Sequence, residues 1–112
     1  MALVHAQPLD IINVRPLGDR IAEVKTHSLI KTPHLQLMRL VLAAGQTVPE
    51  HQVAGEITVH CLEGSAQLHT PGRVSTLQAG DLVTLAGGEP HALEAVRDSS
   101  LLVTILLTAS AR

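Results

Sequence analysis

Two histidines, His51 and His91, each stand beside a strand-like segment closed by glycine, in the runs GQTVPEHQVAGEITVHCLEG (Gly45 to Gly64) and GDLVTLAGGEPHALEA (Gly80 to Ala95). Imidazole is the side chain best suited to hold a metal or move a proton near neutral pH. The two lie far apart in the chain, so only the fold can pair them, and the expected meeting place is the mouth of a small β-barrel. Cys61 is a further candidate as soft ligand or nucleophile, against the plainer role of a small core residue. Arg39 interrupts an apolar run and must reach solvent, an interface or an internal anion; a substrate carboxylate is one such anion. His5, His27, His34 and His69 have no distinctive spacing and read as surface residues.

The elements that must position these groups read as short strands. ITVHCL (Ile57 to Leu62), SAQLHT (Ser65 to Thr70), RVSTL (Arg73 to Leu77), DLVTL (Asp81 to Leu85), HALEAV (His91 to Val96) and SLLVTILLT (Ser100 to Thr108) are separated by glycine, proline or aspartate in nearly every gap. Strands at this spacing predict an all-β barrel or sandwich with little or no helix. HTPGR is the best local hairpin signal, with Pro71 and Gly72 suited to adjacent turn positions. Upstream, HLQLMRLVLAAG (His34 to Gly45) is bracketed by Pro33 and Gly45 and reads as a strand. DRIAEVK (Asp19 to Lys25) alternates well enough for a half-exposed strand. DIINV, between Pro8 and Pro16, is a short strand at most, on an edge or in an arm. The organisation expected is an N-terminal arm or edge strand over residues 1–18 and a single barrel domain over 19–112.

Composition narrows the partners. At 112 residues the chain has the length of one domain, and its 46% hydrophobic content lets it bury a core, which argues against disorder. Phe, Tyr and Trp are absent and the formal charge is -2, so the stacking platforms and basic footprint of a nucleic-acid binder are missing. The longest apolar run, Leu101 to Leu107, is far short of the roughly 20 residues of a membrane-spanning helix. The N-terminus lacks a secretory pattern and the single cysteine fits a reducing compartment, so a soluble cytoplasmic protein is expected.

The two glycine-bounded segments resemble the motifs of the cupin superfamily, G-x5-H-x-H-x3,4-E-x6-G and G-x5-P-x-G-x2-H-x3-N. Gly45, His51 and Gly64 match the first, and Gly80, Gly88 and His91 match the second in register. The resemblance implies a jelly-roll barrel, the cupin-type double-stranded β-helix. In that family a divalent metal is held by two histidines and a glutamate from the first motif and one histidine from the second. Here Val53 and Ile57 stand at the second histidine and glutamate positions, Ala86 and Ala95 replace the proline and asparagine, and only His51 and His91 carry over.

Glu56 sits one place too early, and parity opposes His60: if Ile57, Val59 and Cys61 face the interior, Glu56, Thr58 and His60 face away. A bulge at Ala54 and Gly55 would reverse that parity. The four-ligand set would then be His51, His91, His60 and Glu56, suited to Zn, Ni, Fe or Mn. Two functions are open from the sequence. One is a metal-dependent enzyme of dioxygenase or isomerase type with a partial site, catalytic residues and substrate unassigned. The other is a metal-free cupin binding a small molecule in an apolar pocket. A homodimer is expected under both.

Overall fold

The computed structural model describes residues 5–107; Thr108, where the last predicted strand ends, and the chain termini of both predicted segments lie outside the described residues. Among the described residues, nine strands follow a short 3₁₀ turn, Gly18–Glu23: β1 His27–Lys31, β2 Leu35–Leu42, β3 Thr47–His51, β4 Ile57–Glu63, β5 Ser65–Thr70, β6 Arg73–Gln78, β7 Leu82–Leu85, β8 His91–Ala95 and β9 Ser99–Leu106. They form a five-stranded sheet, β1-β2-β9-β4-β7, and a four-stranded sheet, β3-β8-β5-β6, antiparallel throughout. From β2 to β5 and again from β6 to β9 the chain crosses between the sheets at every step, while β1–β2 and β5–β6 are hairpins within one sheet, which is the jelly-roll arrangement. No helix among the described residues is long and apolar enough to cross a membrane.

The core is aliphatic. Leu42, Ile57, Val59, Cys61, Leu101 and Val103 from the larger sheet meet Ala66, Leu68, Leu77, Leu93 and Ala95 from the smaller. Along β4 the burial alternates residue by residue, with Ile57, Val59 and Cys61 inside. With no aromatic ring available, branched side chains at every second position fill the space between the sheets. The β5–β6 turn pairs Thr70 with Arg73 across Pro71 and Gly72, and Gly72 has a φ of 73°. Proline followed by a positive-φ glycine is the type II pattern expected of HTPGR.

Most of the expected strands form, but the N-terminal third differs. DRIAEVK is not a strand; its first five residues lie in the 3₁₀ turn. The reason is local: the N–H groups of Leu17 and Gly18 both donate to the Glu63 carboxylate, and Gly18 takes a φ of 59°, so the segment begins as a turn and offers no ladder. DIINV is irregular as well, closed by the Asn13 side chain accepting from Arg15 N–H and by paired bonds between Gln7 and Asp10. Two strands not anticipated, β1 and β3, are edge strands, and β3 carries Pro49 where an edge tolerates it.

Arg39 lies on β2 with its side chain only 5% exposed, 3.6 Å from Glu63, and its Nη2 donates to the Arg15 carbonyl and to Ser100 Oγ. Its Nε has no partner among the described residues. Burial pushes the guanidinium below its ordinary value, against the pull of the Glu63 charge. For Glu63, burial alone would raise the carboxyl. Donation from Leu17 N–H, the Ser100 hydroxyl and Gly18 N–H, with the Arg39 charge, outweighs it and holds the carboxyl below its ordinary value of 4.5. This cluster ties the arm to the sheet.

The depressed carboxyl fixes the sign of an acid effect. Below pH 4.5 the unfolded chain binds the proton first, so the stabilisation, fully present above that pH, is lost as pH falls through the lower folded value. Glu63→Gln should cost about 1–3 kcal/mol at neutral pH. In urea melts it should lose less further stability than the parent between pH 4.5 and acid; equal acid slopes would show that Glu63 carries no such linkage.

Candidate functional site

His51 and His91 are brought together by a register shift. β3 pairs Thr47 with Glu94 and Val48 with Leu93, then slips so that His51 lies opposite His91. The extra residue falls at the Pro49–Glu50 step and gives His51 the face that His91 occupies, an inward-pointing role typical of a bulge near a barrel rim. The ring centroids are 4.3 Å apart and the planes are tilted by 56°. His91 is buried and His51 exposed, so the pair is open on one side.

Each ring is oriented by the backbone two residues before it. His51 Nδ1 lies 3.0 Å from the Pro49 carbonyl oxygen and His91 Nδ1 lies 2.9 Å from that of Glu89. A carbonyl only accepts, so both Nδ1 atoms carry the proton, and in the neutral rings both Nε2 atoms present a lone pair. That is the tautomer and the outer hydrogen bond of a metal-ligating histidine. The loop that presents His91 is itself pinned, because Gly88 N–H donates to the Val53 carbonyl and a Cβ on Gly87 would overlap the Ala54 carbonyl oxygen.

The other two predicted ligands are elsewhere. The β4 ladder runs without a shift from Ile57 to Cys61, so His60 is on the outer face, between Leu82 of β7 and Leu102 of β9. Glu56 is exposed in the preceding loop, where its main-chain carbonyl accepts from Leu106 N–H. The bulge at Ala54 and Gly55 that would have turned His60 inward does not act on the strand. The physical reason is packing: Ile57, Val59 and Cys61 are each 3% exposed or less, and reversing the parity would expel all three. The structure thus assembles two of the four residues, and no group of three or more His, Cys, Asp or Glu side chains suited to a metal occurs among the described residues.

The pair therefore fits a cation as two nitrogen donors on one side, with further positions to be filled from outside the chain. Val53 and Ile57, at the motif positions of the missing ligands, pack into or against the core. Cys61 is fully buried, its thiol directed to main-chain carbonyls of Glu63 and Gly64, and burial pushes it up, so it is inert. His69 pairs with Glu94 at 3.6 Å and lies opposite Ala92, one step from His91 and so on the other face of the sheet, while His5 bonds Ser28 and His27 the Lys25 carbonyl on and beside β1.

Two residues that sequence reasoning did not single out share the row. β8 pairs Leu93 with Leu68 and Ala92 with His69; one further step places Thr70 beside His91, and β6 sets Arg73 opposite Thr70. One cross-strand line thus reads His51, His91, Thr70, Arg73. Only the strand register reveals it: the HTPGR turn marks the hairpin and carries no sign of the histidines two strands away.

The orientation of His91 is directly testable. Long-range proton–nitrogen spectra of the metal-free protein should show His91 protonated at Nδ1. Gly87→Ala should lower stability by about 1–3 kcal/mol through overpacking and mix the tautomers. Nδ1 bare in the parent would mean that the Glu89 carbonyl does not hold the ring.

The cupin domain family model matches residues 38–107, more than half of the chain. No curated protein matches the sequence. Among solved structures, the fold is similar to a conserved protein of unknown function from Streptococcus pyogenes, with 22% identity over 98% of this chain and 100% of that one, at a TM-score of 0.75. It is also similar to a cupin superfamily protein from Desulfitobacterium hafniense, with 18% identity over 92% and 100% and a TM-score of 0.77. The salicylate 1,2-dioxygenase of Pseudoaminobacter salicylatoxidans, solved as adducts with gentisate, shares 18% identity over 71% of this chain and 24% of its own, at a TM-score of 0.67. With its matching motif glycines, its interleaved antiparallel sheets and its two rim histidines in one register, the chain belongs to the cupin family.

Proposed function

We propose that His51 and His91 form a two-histidine centre for a divalent metal, Zn, Ni, Fe or Mn, which a small-molecule ligand completes. The observation that carries this reading is the pair of Nδ1–H bonds to the Pro49 and Glu89 carbonyls, which leaves two Nε2 lone pairs on neighbouring strands at the rim. Imidazole suits these metals. A metal held there supplies Lewis acidity toward a carbonyl, water or dioxygen. The chain's own contribution is to orient the donors through the Pro49 and Glu89 carbonyls and to keep the motif positions of Val53 and Ile57 apolar, packed against and into the core. An enzyme of dioxygenase or isomerase type is the finer form of this reading, and the dioxygenase likeness supports it at the level of fold.

Elemental analysis after loading with each metal tests the centre. The expected result is about one metal per chain, with affinity reduced at least tenfold in His51→Ala and in His91→Ala, the scale on which even supporting residues act. Full retention in both variants, or no uptake of any metal, would reject it. The apolar replacements Val53 and Ile57 favour the second reading, a metal-free cupin that binds a small molecule in the same mouth.

The dimer is proposed on separate grounds. Leu9 and Ile11 are 101% and 97% exposed on the irregular arm, beside a groove of about 610 Å³ lined in part by His5, Ile12 and Leu29 at the open edge of β1. Two fully exposed aliphatic side chains next to a sheet edge that takes one main-chain bond, from Ala6 N–H to the Leu29 carbonyl, suit burial against a second copy. Light scattering should give a dimer for the parent. The double variant Leu9→Asn, Ile11→Ser, with asparagine chosen because Leu9 has a φ of 77°, should shift toward monomer. A monomeric parent would remove the proposal.

A further inference from the structure

The two sheets part along the free edges of β6 and β7, and a second cleft, of about 230 Å³, opens there. Its inner wall is apolar, made by Leu68, Val83 and Leu85, with the Thr70 and Ser75 hydroxyls beside them. Two charged side chains line it as well, Arg73 from the start of β6 and Glu89 from the loop before β8. They share one cleft without pairing: the ion pairs among the described residues are Arg39–Glu63 and His69–Glu94.

We propose that this cleft binds a small apolar α-amino acid, with the ligand carboxylate on the Arg73 guanidinium, its ammonium on the Glu89 carboxylate and its side chain against Leu68, Val83 and Leu85. Charge decides the class. A simple anion would suit Arg73 and meet the repulsion of Glu89, a simple cation would do the reverse, and a neutral molecule would draw on neither charge. A zwitterion answers both at once, since guanidinium and carboxylate each favour a charged, hydrogen-bonding partner. Volume sets the size. The cleft is smaller than the roughly 300–1,000 Å³ of sites for drug-sized ligands, so the occupant has few heavy atoms. Thr70, next to His91 in the cross-strand row, puts the cleft beside the rim histidines. The inference does not depend on the metal centre and stands if His51 and His91 hold none.

Calorimetry on the full chain with leucine as the probe tests it, alongside 4-methylpentanoate, which lacks the ammonium, and isopentylamine, which lacks the carboxylate. All titrations are run in EDTA so that the metal reading is not involved. Leucine should bind, and each single-charge analogue should bind at least about tenfold more weakly, the equivalent of one charged hydrogen bond. Arg73→Gln and Glu89→Gln should each weaken leucine by a similar factor. Arg73 is exposed, so its variant should melt as the parent does, and a matched melt separates lost binding from lost fold. His51→Ala should keep leucine binding while losing metal. No heat with millimolar leucine, analogues as tight as leucine, or unchanged binding in both charge variants would each overturn the proposal.

Discussion

The alternation of side chains along β4 is the constraint on which the rest of the molecule depends. Ile57, Val59 and Cys61 fill the space between the sheets, and β4 is bonded on both sides, to β7 and β9, so it has no freedom to slip. A shift by one residue would send three buried side chains into solvent, at about 1.5–3 kcal/mol for each large aliphatic one. That cost fixes His60 outside and leaves the interior of the mouth to Ile57 where related motifs carry a carboxylate. The chemistry of the rim is therefore set by packing before any ligand is considered.

β3 has the freedom that β4 lacks. It is an edge strand with a proline near its end, paired on one side only, and there a single extra residue changes the face on which His51 points. The edge position makes this cheap, because the unpaired residue of a bulge keeps its access to water. The rim thus combines a rigid partner, His91 on a strand bonded on both sides, with an adjustable one, and both rings are held by carbonyls of their own chain segments. Holding a ring from its own loop makes the site sensitive to loop geometry, which Gly87 and Gly88 set by packing against Ala54 and Val53.

The barrel was legible in the sequence from β4 onward because its strands are bounded by turn residues and either alternate in burial, as β4 and β8 do, or form one apolar run, as β9 does between two partners. The same rule failed at DRIAEVK, where the alternation is real but the N–H groups before it are taken by Glu63, 45 and 46 residues away in sequence. β3 was hidden for the opposite reason: TVPEH has little apolar content and contains proline, so nothing local marks it as a strand. For the site, the motif spacing singled out His51 and His91, and parity correctly gave the outward face of His60. Thr70 and Arg73 were invisible, since their place beside the histidines comes from three successive strand pairings and from no local pattern.

The Arg39–Glu63 cluster shows what a buried ion pair contributes when stability is not its evident purpose. Taking both charges from water costs several kcal/mol per ion, and the unpartnered Nε adds to that cost, so an apolar pair could serve the sheet as well. What an apolar pair could not do is place the arm. Among its described residues the arm makes one main-chain bond to β1, from Ala6 N–H to the Leu29 carbonyl, and the Glu63 carboxylate holds it by Leu17 and Gly18 while Arg39 holds it by the Arg15 carbonyl. Among the described residues the arm is thus fastened at Ala6 and again from Arg15 to Gly18, and free of the sheets between them. The free stretch is the one that carries Leu9 and Ile11, and the polar cluster fixes the position from which those exposed side chains are presented.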